Sequence, residues 1–170
     1  MRTFELNQDQ IKMEREISKL PTEKLYYIVA QQKIRTSIYS LNELKKHIRR
    51  SVKEYIKRLD PQSYYKGKEN EVIKYIAFFE NTKAFFMSQH VNNIVESNFY
   101  AGFHFHLFIS GVDENYIKEL TFQLNSQKDK RGCMSKIDGV KAEKLDFDFK
   151  TYHVKQMMFR YSPQLILKNY

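Results

Sequence analysis

Residues 102–110 read GFHFHLFIS, two histidines one residue apart in an otherwise almost wholly apolar stretch. An extended strand turns successive side chains to opposite faces, so His104, His106, Phe108 and Ser110 share one face. Phe103, Phe105, Leu107 and Ile109 take the other, which predicts the core side. Residues two apart on a strand are separated by roughly 6.5–7 Å, close enough for two imidazoles to lean onto one cation. The alternative is a pair of structural histidines, each needing its own polar partner.

A divalent ion needs a third ligand. Glu80 closes the apolar run YIAFF and lies beside His104 and His106 if its strand is their neighbour. His90 and Glu96, in the intervening segment, are alternatives, and a strand-end Glu facing water is the bland reading of Glu80. Two imidazoles and one carboxylate leave coordination positions open, the condition for a catalytic ion rather than a closed structural one.

The segments around this strand set the fold class. Upstream, QDQIKMEREISKL (8–20) carries Ile11, Ile17 and Leu20 on a helical stripe that Pro21 closes, which predicts an N-terminal helical extension over 1–21. LYYIVAQQKIR (25–35) reads as a strand from its β-branched and aromatic content. In residues 40–61, Leu41, Leu44, Ile48, Val52, Tyr55 and Leu59 recur at three- and four-residue spacing, behind a Ser40–Glu43 capping box and before an Asp60–Pro61 stop. The opposite face of this helix holds Lys45, Lys46, Arg49, Arg50, Lys53, Lys57 and Arg58, cations read as a solvated surface, with contact to DNA as the alternative. PQSYYKGKEN reads as a loop, and the apolar runs 72–79 and 84–87 around ENTK read as a hairpin. Residues 90–100 read as a loop or insertion.

Downstream, Asp113 caps a helix expected through residue 125, with Ile117, Leu120 and Leu124 inward. A polar loop over 126–139 leads to VKAEKLDFDF, whose Leu145, Phe147 and Phe149 alternate as in a strand. TYHVKQMMFRYSP reads as a helix ended by Pro163. Adjacent strands joined by short turns, with helices interspersed, predict an α+β domain with an antiparallel sheet of about five strands covered on one face by helices. A chain of 170 residues fits one domain, either standing alone or as the N-terminal part of a longer protein.

The totals narrow the partners. Lys and Arg number 29 against 20 Asp and Glu, and this excess favours a polyanion. The single cysteine, Cys133, excludes an internal disulfide and a cysteine-rich zinc site, and fits a reducing compartment. No apolar run reaches the ~18 residues of a membrane span, and the start has no signal-peptide core. The expectation is a protein that is not secreted and has no membrane partner.

The last motif is YHVK (152–155), 46 residues beyond His106. On a helix, Tyr152, Lys155 and Gln156 fall on one face. HFH on a strand followed by a Y-x-x-K motif resembles the HUH endonucleases, named for His-hydrophobic-His, and most closely the replication-initiator branch of rolling-circle Rep proteins from plasmids and single-stranded DNA viruses. The resemblance covers roughly residues 25–160. It implies a ferredoxin- or RRM-like sheet, His104, His106 and Glu80 as ligands of Mg2+ or Mn2+, Tyr152 as the nucleophile and Lys155 as its helper. The 24-residue separation of Glu80 from His104 is wider than usual in viral members, and YYIVAQ is a weak match to the family's first motif. Gln156 resembles a polar residue on the tyrosine helix of single-tyrosine transposases.

The implied activity is sequence-specific nicking and rejoining of single-stranded DNA through a 5′-phosphotyrosine, at an origin strand or hairpin. Lys33, Arg35 and Lys83 are expected to track phosphates. Any helicase would belong to another chain or domain, since no P-loop is present. The compartment would be a bacterial cytoplasm, or the nucleus for a eukaryotic virus. Relaxase or transposase use of the same chemistry, and a non-catalytic nucleic-acid-binding domain, are the competing readings. Tyr161, nine residues beyond Tyr152 on a continuing helix, would face away, which predicts a one-tyrosine mechanism.

Overall fold

The computed structural model describes residues 5–21, 24–32, 39–91, 94–111, 114–115, 117–119, 137–144, 154 and 160–170, with backbone alone at 31, 82–91, 94–101 and 137–144. Its centre is a five-stranded antiparallel sheet built from β1 (Leu25–Gln32), β2 (Lys74–Val91), β3 (Ile94–Ser110), β4 (Ile137–Lys144) and β5 (Ile166–Lys168), in the order β4-β1-β3-β2-β5. The first four strands follow the 4-1-3-2 order of a ferredoxin-like split βαβ sheet, so the α+β expectation holds. The histidine strand, β3, lies in the middle.

Helices cover both faces of the sheet. α2 (Leu41–Leu59) starts at the expected Ser40–Glu43 capping box and buries Leu44, Ile48, Val52, Tyr55 and Ile56 against Ile28, Phe79, Phe105, Leu107 and Ile109. Leu59, expected inward, is 42% exposed at the helix end. On the other face, α1 (Gln8–Ser18) is opened by a capping box between Asn7 and Gln10. It seats Met13 and Ile17, with Leu20 beyond its end, on Leu25, Ile76, Phe78, Phe108 and the helical residue Val154. Ile11 is only half-buried, and Gln10 and Met13 take the place expected for it.

This second core corrects two expectations. Helices do not cover one face alone, and the face of Phe105, Leu107 and Ile109 is not the sole core side: Phe108, Ile76 and Phe78 on the histidine face are fully buried too. Apolar residues at every position of Tyr75–Phe79 are what burial on both faces requires.

The ENTK hairpin is also overturned. β2 runs unbroken through it and pairs with β3 from Lys74↔Ser110 to Val91↔Ile94. Between the pairs Thr82↔Gly102 and Phe85↔Tyr100, β2 advances by three residues and β3 by two, a β-bulge that breaks the side-chain alternation and imitates a turn in the sequence. Residues 94–100, read as part of a loop or insertion, are the first half of β3. PQSYYKGKEN holds a short helix, α3 (Pro61–Tyr65), and the start of a second, α4 (Glu69–Val72), rather than loop alone.

β4 begins at Ile137, earlier than expected, while Leu145, Phe147 and Phe149 lie outside the described residues, as do Asp113, Leu120 and Leu124. Ile117 is helical and buried as expected. The final helix does not run to Pro163. Arg160–Ser162 are non-helical, Pro163 opens a 3-10 turn, and β5 follows at the sheet edge. Tyr161 therefore does not lie on a continuing helix. No helix among the described residues is long and apolar enough to cross a membrane.

Candidate metal centre

Sheet register brings the three expected ligands together. β2 and β3 pair so that Glu80 stands directly opposite His104, and Phe78 opposite His106. Because directly opposed residues in an antiparallel ladder project to the same face, Glu80, His104 and His106 all point to the α1 side. The long separation between Glu80 and His104 is filled by the continuous β2–β3 hairpin, so distance along the chain does not translate into distance in space.

The Nε2 atom of His104 is 2.9 Å from Glu80 Oε2, and Nε2 of His106 is 3.4 Å from the same oxygen. The two imidazoles meet edge to face with centroids 5.1 Å apart. One ligand atom from each residue lies within 4.8 Å of the other two. The side chains are 15%, 11% and 14% exposed for His104, His106 and Glu80, so the cluster is largely enclosed but not sealed from solvent.

Two polar atoms in the cluster are buried without a hydrogen-bond partner, Glu80 Oε1 and His106 Nε2. Orphaned buried acceptors cost about 1–3 kcal/mol each, and a cation between the three side chains would satisfy both. The donor set, two nitrogens and a carboxylate with room for further ligands, suits a catalytic divalent ion. Among the described residues, this is the one His/Cys/Asp/Glu cluster with that geometry.

Burial by itself would raise the Glu80 carboxyl, but the His104 hydrogen bond, the adjacent His106 nitrogen and the charge on both rings outweigh it and hold the group at about 2. Burial pushes the His106 ring below its ordinary value; Glu80 opposes this and His104 adds to it. The carboxylate is thus ionised and the His106 ring tends to neutrality, the protonation states that metal binding needs.

A fourth residue completes the cluster. Tyr27 of β1 lies across the other side of β3, its Oη 2.6 Å from His106 Nδ1 and its ring stacked on the imidazole at 5.9 Å. Two tautomers fit this contact: without an ion the Tyr27 hydroxyl donates to Nδ1 and Nε2–H points at the Glu80 carboxylate, whereas with an ion bound Nδ1–H would donate to Tyr27 Oη and leave the Nε2 lone pair for the ion. Sequence reading missed Tyr27. The signal lay in YYIVAQ, but only the β1–β3 register, Tyr27↔Phe108 and Val29↔His106, shows which of its residues share the histidine face.

The remaining expected site residues are distributed as follows. Tyr152, Lys155 and Gln156 lie outside the described residues, as do Lys33 and Arg35. Val154, between Tyr152 and Lys155 in sequence, is buried on the histidine face beside Phe108, and its carbonyl accepts a 3.4 Å bond from Gln10 Nε2. Lys83 falls at the β2 bulge. His90 and Glu96, the alternative ligands, lie in the hairpin beyond that bulge. No protein-family model matches this chain, and no curated protein matches it.

Proposed function

We propose that this protein is a metal-dependent nickase and ligase of single-stranded DNA, of the HUH endonuclease kind, that starts rolling-circle replication through a 5′-phosphotyrosine. The observation that carries the reading is the convergence of Glu80, His104 and His106 on one face of the two central strands, with one ligand atom from each within 4.8 Å of the other two. Val154 adds support, because the helical residue flanked in sequence by Tyr152 and Lys155 packs on that same face.

An ion bound by these three side chains supplies neutralisation of the scissile phosphate and polarisation of its phosphorus. The protein's own groups do the rest. Glu80 contributes the negative charge and His104 and His106 neutral nitrogens. The Tyr152 phenol gives up its proton and its oxygen bonds to phosphorus; the bond from phosphorus to the 3′ oxygen breaks, and that oxygen takes a proton to become a free 3′-OH. Lys155 stabilises the phenolate, which an ordinary phenol pKa near 10 makes costly at neutral pH. The phosphodiester is exchanged rather than hydrolysed, so attack by a 3′-OH on the tyrosyl phosphate reseals the strand.

Incubation with labelled single-stranded origin-type DNA and Mn2+ should give an adduct that survives denaturation. Chelator and Tyr152→Phe should each abolish it, while Tyr161→Phe should retain it. An adduct that persists in Tyr152→Phe would overturn the assignment of the nucleophile, and binding without any adduct on a cognate origin would favour a non-catalytic domain.

A further inference from the structure

α2 presents its charged side away from the metal centre. Its apolar side packs on the sheet face carrying Phe105, Leu107 and Ile109, whereas Glu80, His104 and His106 occupy the opposite face. Lys46, Arg49, Arg50, Lys53 and Lys57 are exposed, spaced three and four residues apart along the outer side of one continuous helix. At that spacing neighbouring side chains face one another, and like charges repel. Ion pairs elsewhere join Lys19 and Lys168 to Glu16, Arg58 to Glu119 and Lys68 to Glu71. None among the described residues engages Lys46, Arg49, Arg50 or Lys53, although Glu43 and Glu54 lie on the same helix. Lys57 instead rests over the Tyr64 ring at 5.7 Å.

We infer that this face of α2 is a docking surface for double-stranded DNA, separate from the strand handled at the metal centre. The stripe from Lys46 to Lys57 is about 17 Å long at 1.5 Å per helical residue, a length over which a duplex offers about ten phosphate charges. A polyanion relieves the mutual repulsion that the helix otherwise bears. The surface favours a duplex over a single strand because, among the described residues, no exposed aromatic side chain is interleaved with these four cations; Tyr75, which feels the charge of Arg49, is only 5% exposed and offers no face to a base. Tyr65, 75% exposed, stands beyond the end of the stripe in α3. Single-strand surfaces alternate cations with rings on which bases stack; a surface of cations alone reads phosphates.

The test compares wild type with two quadruple variants by fluorescence anisotropy, across a series of NaCl concentrations. One variant removes the charges (Lys46→Gln, Arg49→Gln, Arg50→Gln, Lys53→Gln), and glutamine preserves helix propensity. The other keeps them (Lys46→Arg, Arg49→Lys, Arg50→Lys, Lys53→Arg). The probes are a 20-base-pair duplex of arbitrary sequence and a 20-nucleotide strand. For the duplex, the slope of log affinity against log salt should fall in magnitude by about 3 to 4 in the glutamine variant, from four lost phosphate contacts. The charge-keeping variant should retain the wild-type slope, and the single strand should be affected less than the duplex. An unchanged slope, an equal loss with the single strand, or a matching loss in the charge-keeping variant would overturn the proposal. Mn2+ titration of the same proteins reports on the metal centre by itself, so failure of one reading leaves the other standing.

Discussion

Tyr27 Oη lies 2.6 Å from His106 Nδ1, and this contact from a neighbouring strand fixes which imidazole nitrogen faces Glu80. Partners that orient a metal-ligating histidine typically account for 10–100-fold in metal affinity. Tyr27→Phe keeps the stacked ring and deletes only the oxygen. It should weaken Mn2+ binding by about that factor in calorimetric titration while leaving the fold intact. Unchanged affinity would show that the stacked Tyr27 ring, without its hydroxyl, is enough to hold the imidazole.

Acid should destabilise the metal-free protein in two stages. Burial lowers the pKa of His106 below its ordinary 6.5, so the unfolded chain takes up that proton first and stability starts to fall as pH drops through that value. Glu80, depressed from 4.5 to about 2, keeps its charge in the folded state where the unfolded chain would lose it. Its contribution is complete above 4.5 and disappears as pH falls toward 2. Thermal unfolding across this range should show both limbs, and Glu80→Gln should flatten the lower one. A lower limb that persists in Glu80→Gln would assign it to other carboxylates.

Gly111, immediately after β3, has a φ of 92°, and a Cβ added there would stand 2.4 Å from the Val72 carbonyl oxygen. The backbone of Val72 cannot swing away as a side-chain tip would. Gly111→Ala therefore meets both a disfavoured dihedral and a clash, and should cost about 2 kcal/mol or more in urea unfolding. A cost below about 0.5 kcal/mol would mean the β3 end shifts freely.

Asn7 caps α1, the helix that closes the histidine-side core. Asn7→Ala leaves a helical N–H without its acceptor, at a cost of about 1 kcal/mol. Equilibrium denaturation should register that loss, and Asn7→Ser should recover most of it.

The candidate metal centre is more legible in the sequence than the sheet that builds it. Alternation over 102–110 assigns His104 and His106 to one face without reference to any other residue, because strand periodicity is a local property. Glu80 needed only the condition that its strand be adjacent. The rest depends on pairing, which sequence encodes weakly. The bulge after Thr82 disguises one strand as two, and the two-residue connection between Val91 and Ile94 falls within a stretch whose sequence reads as a loop or insertion. β5 has three residues, too few for a periodicity, and is held by its ladder to Ile76–Phe78. The second core was visible only as an unbroken apolar run in β2, which states that both sides are covered but not by what.

Glu80 and His104 owe their meeting to one rung of the β2–β3 ladder. If that pairing slid by a single position, the carboxylate would turn to the α2 side while both imidazoles stayed behind. A preparation misfolded in this way would keep its strand and helix content and give an ordinary circular dichroism spectrum, yet take up no ion. If the three side chains hold an ion as proposed, ion uptake, and not secondary-structure content, is the measure of how much of a sample is competent.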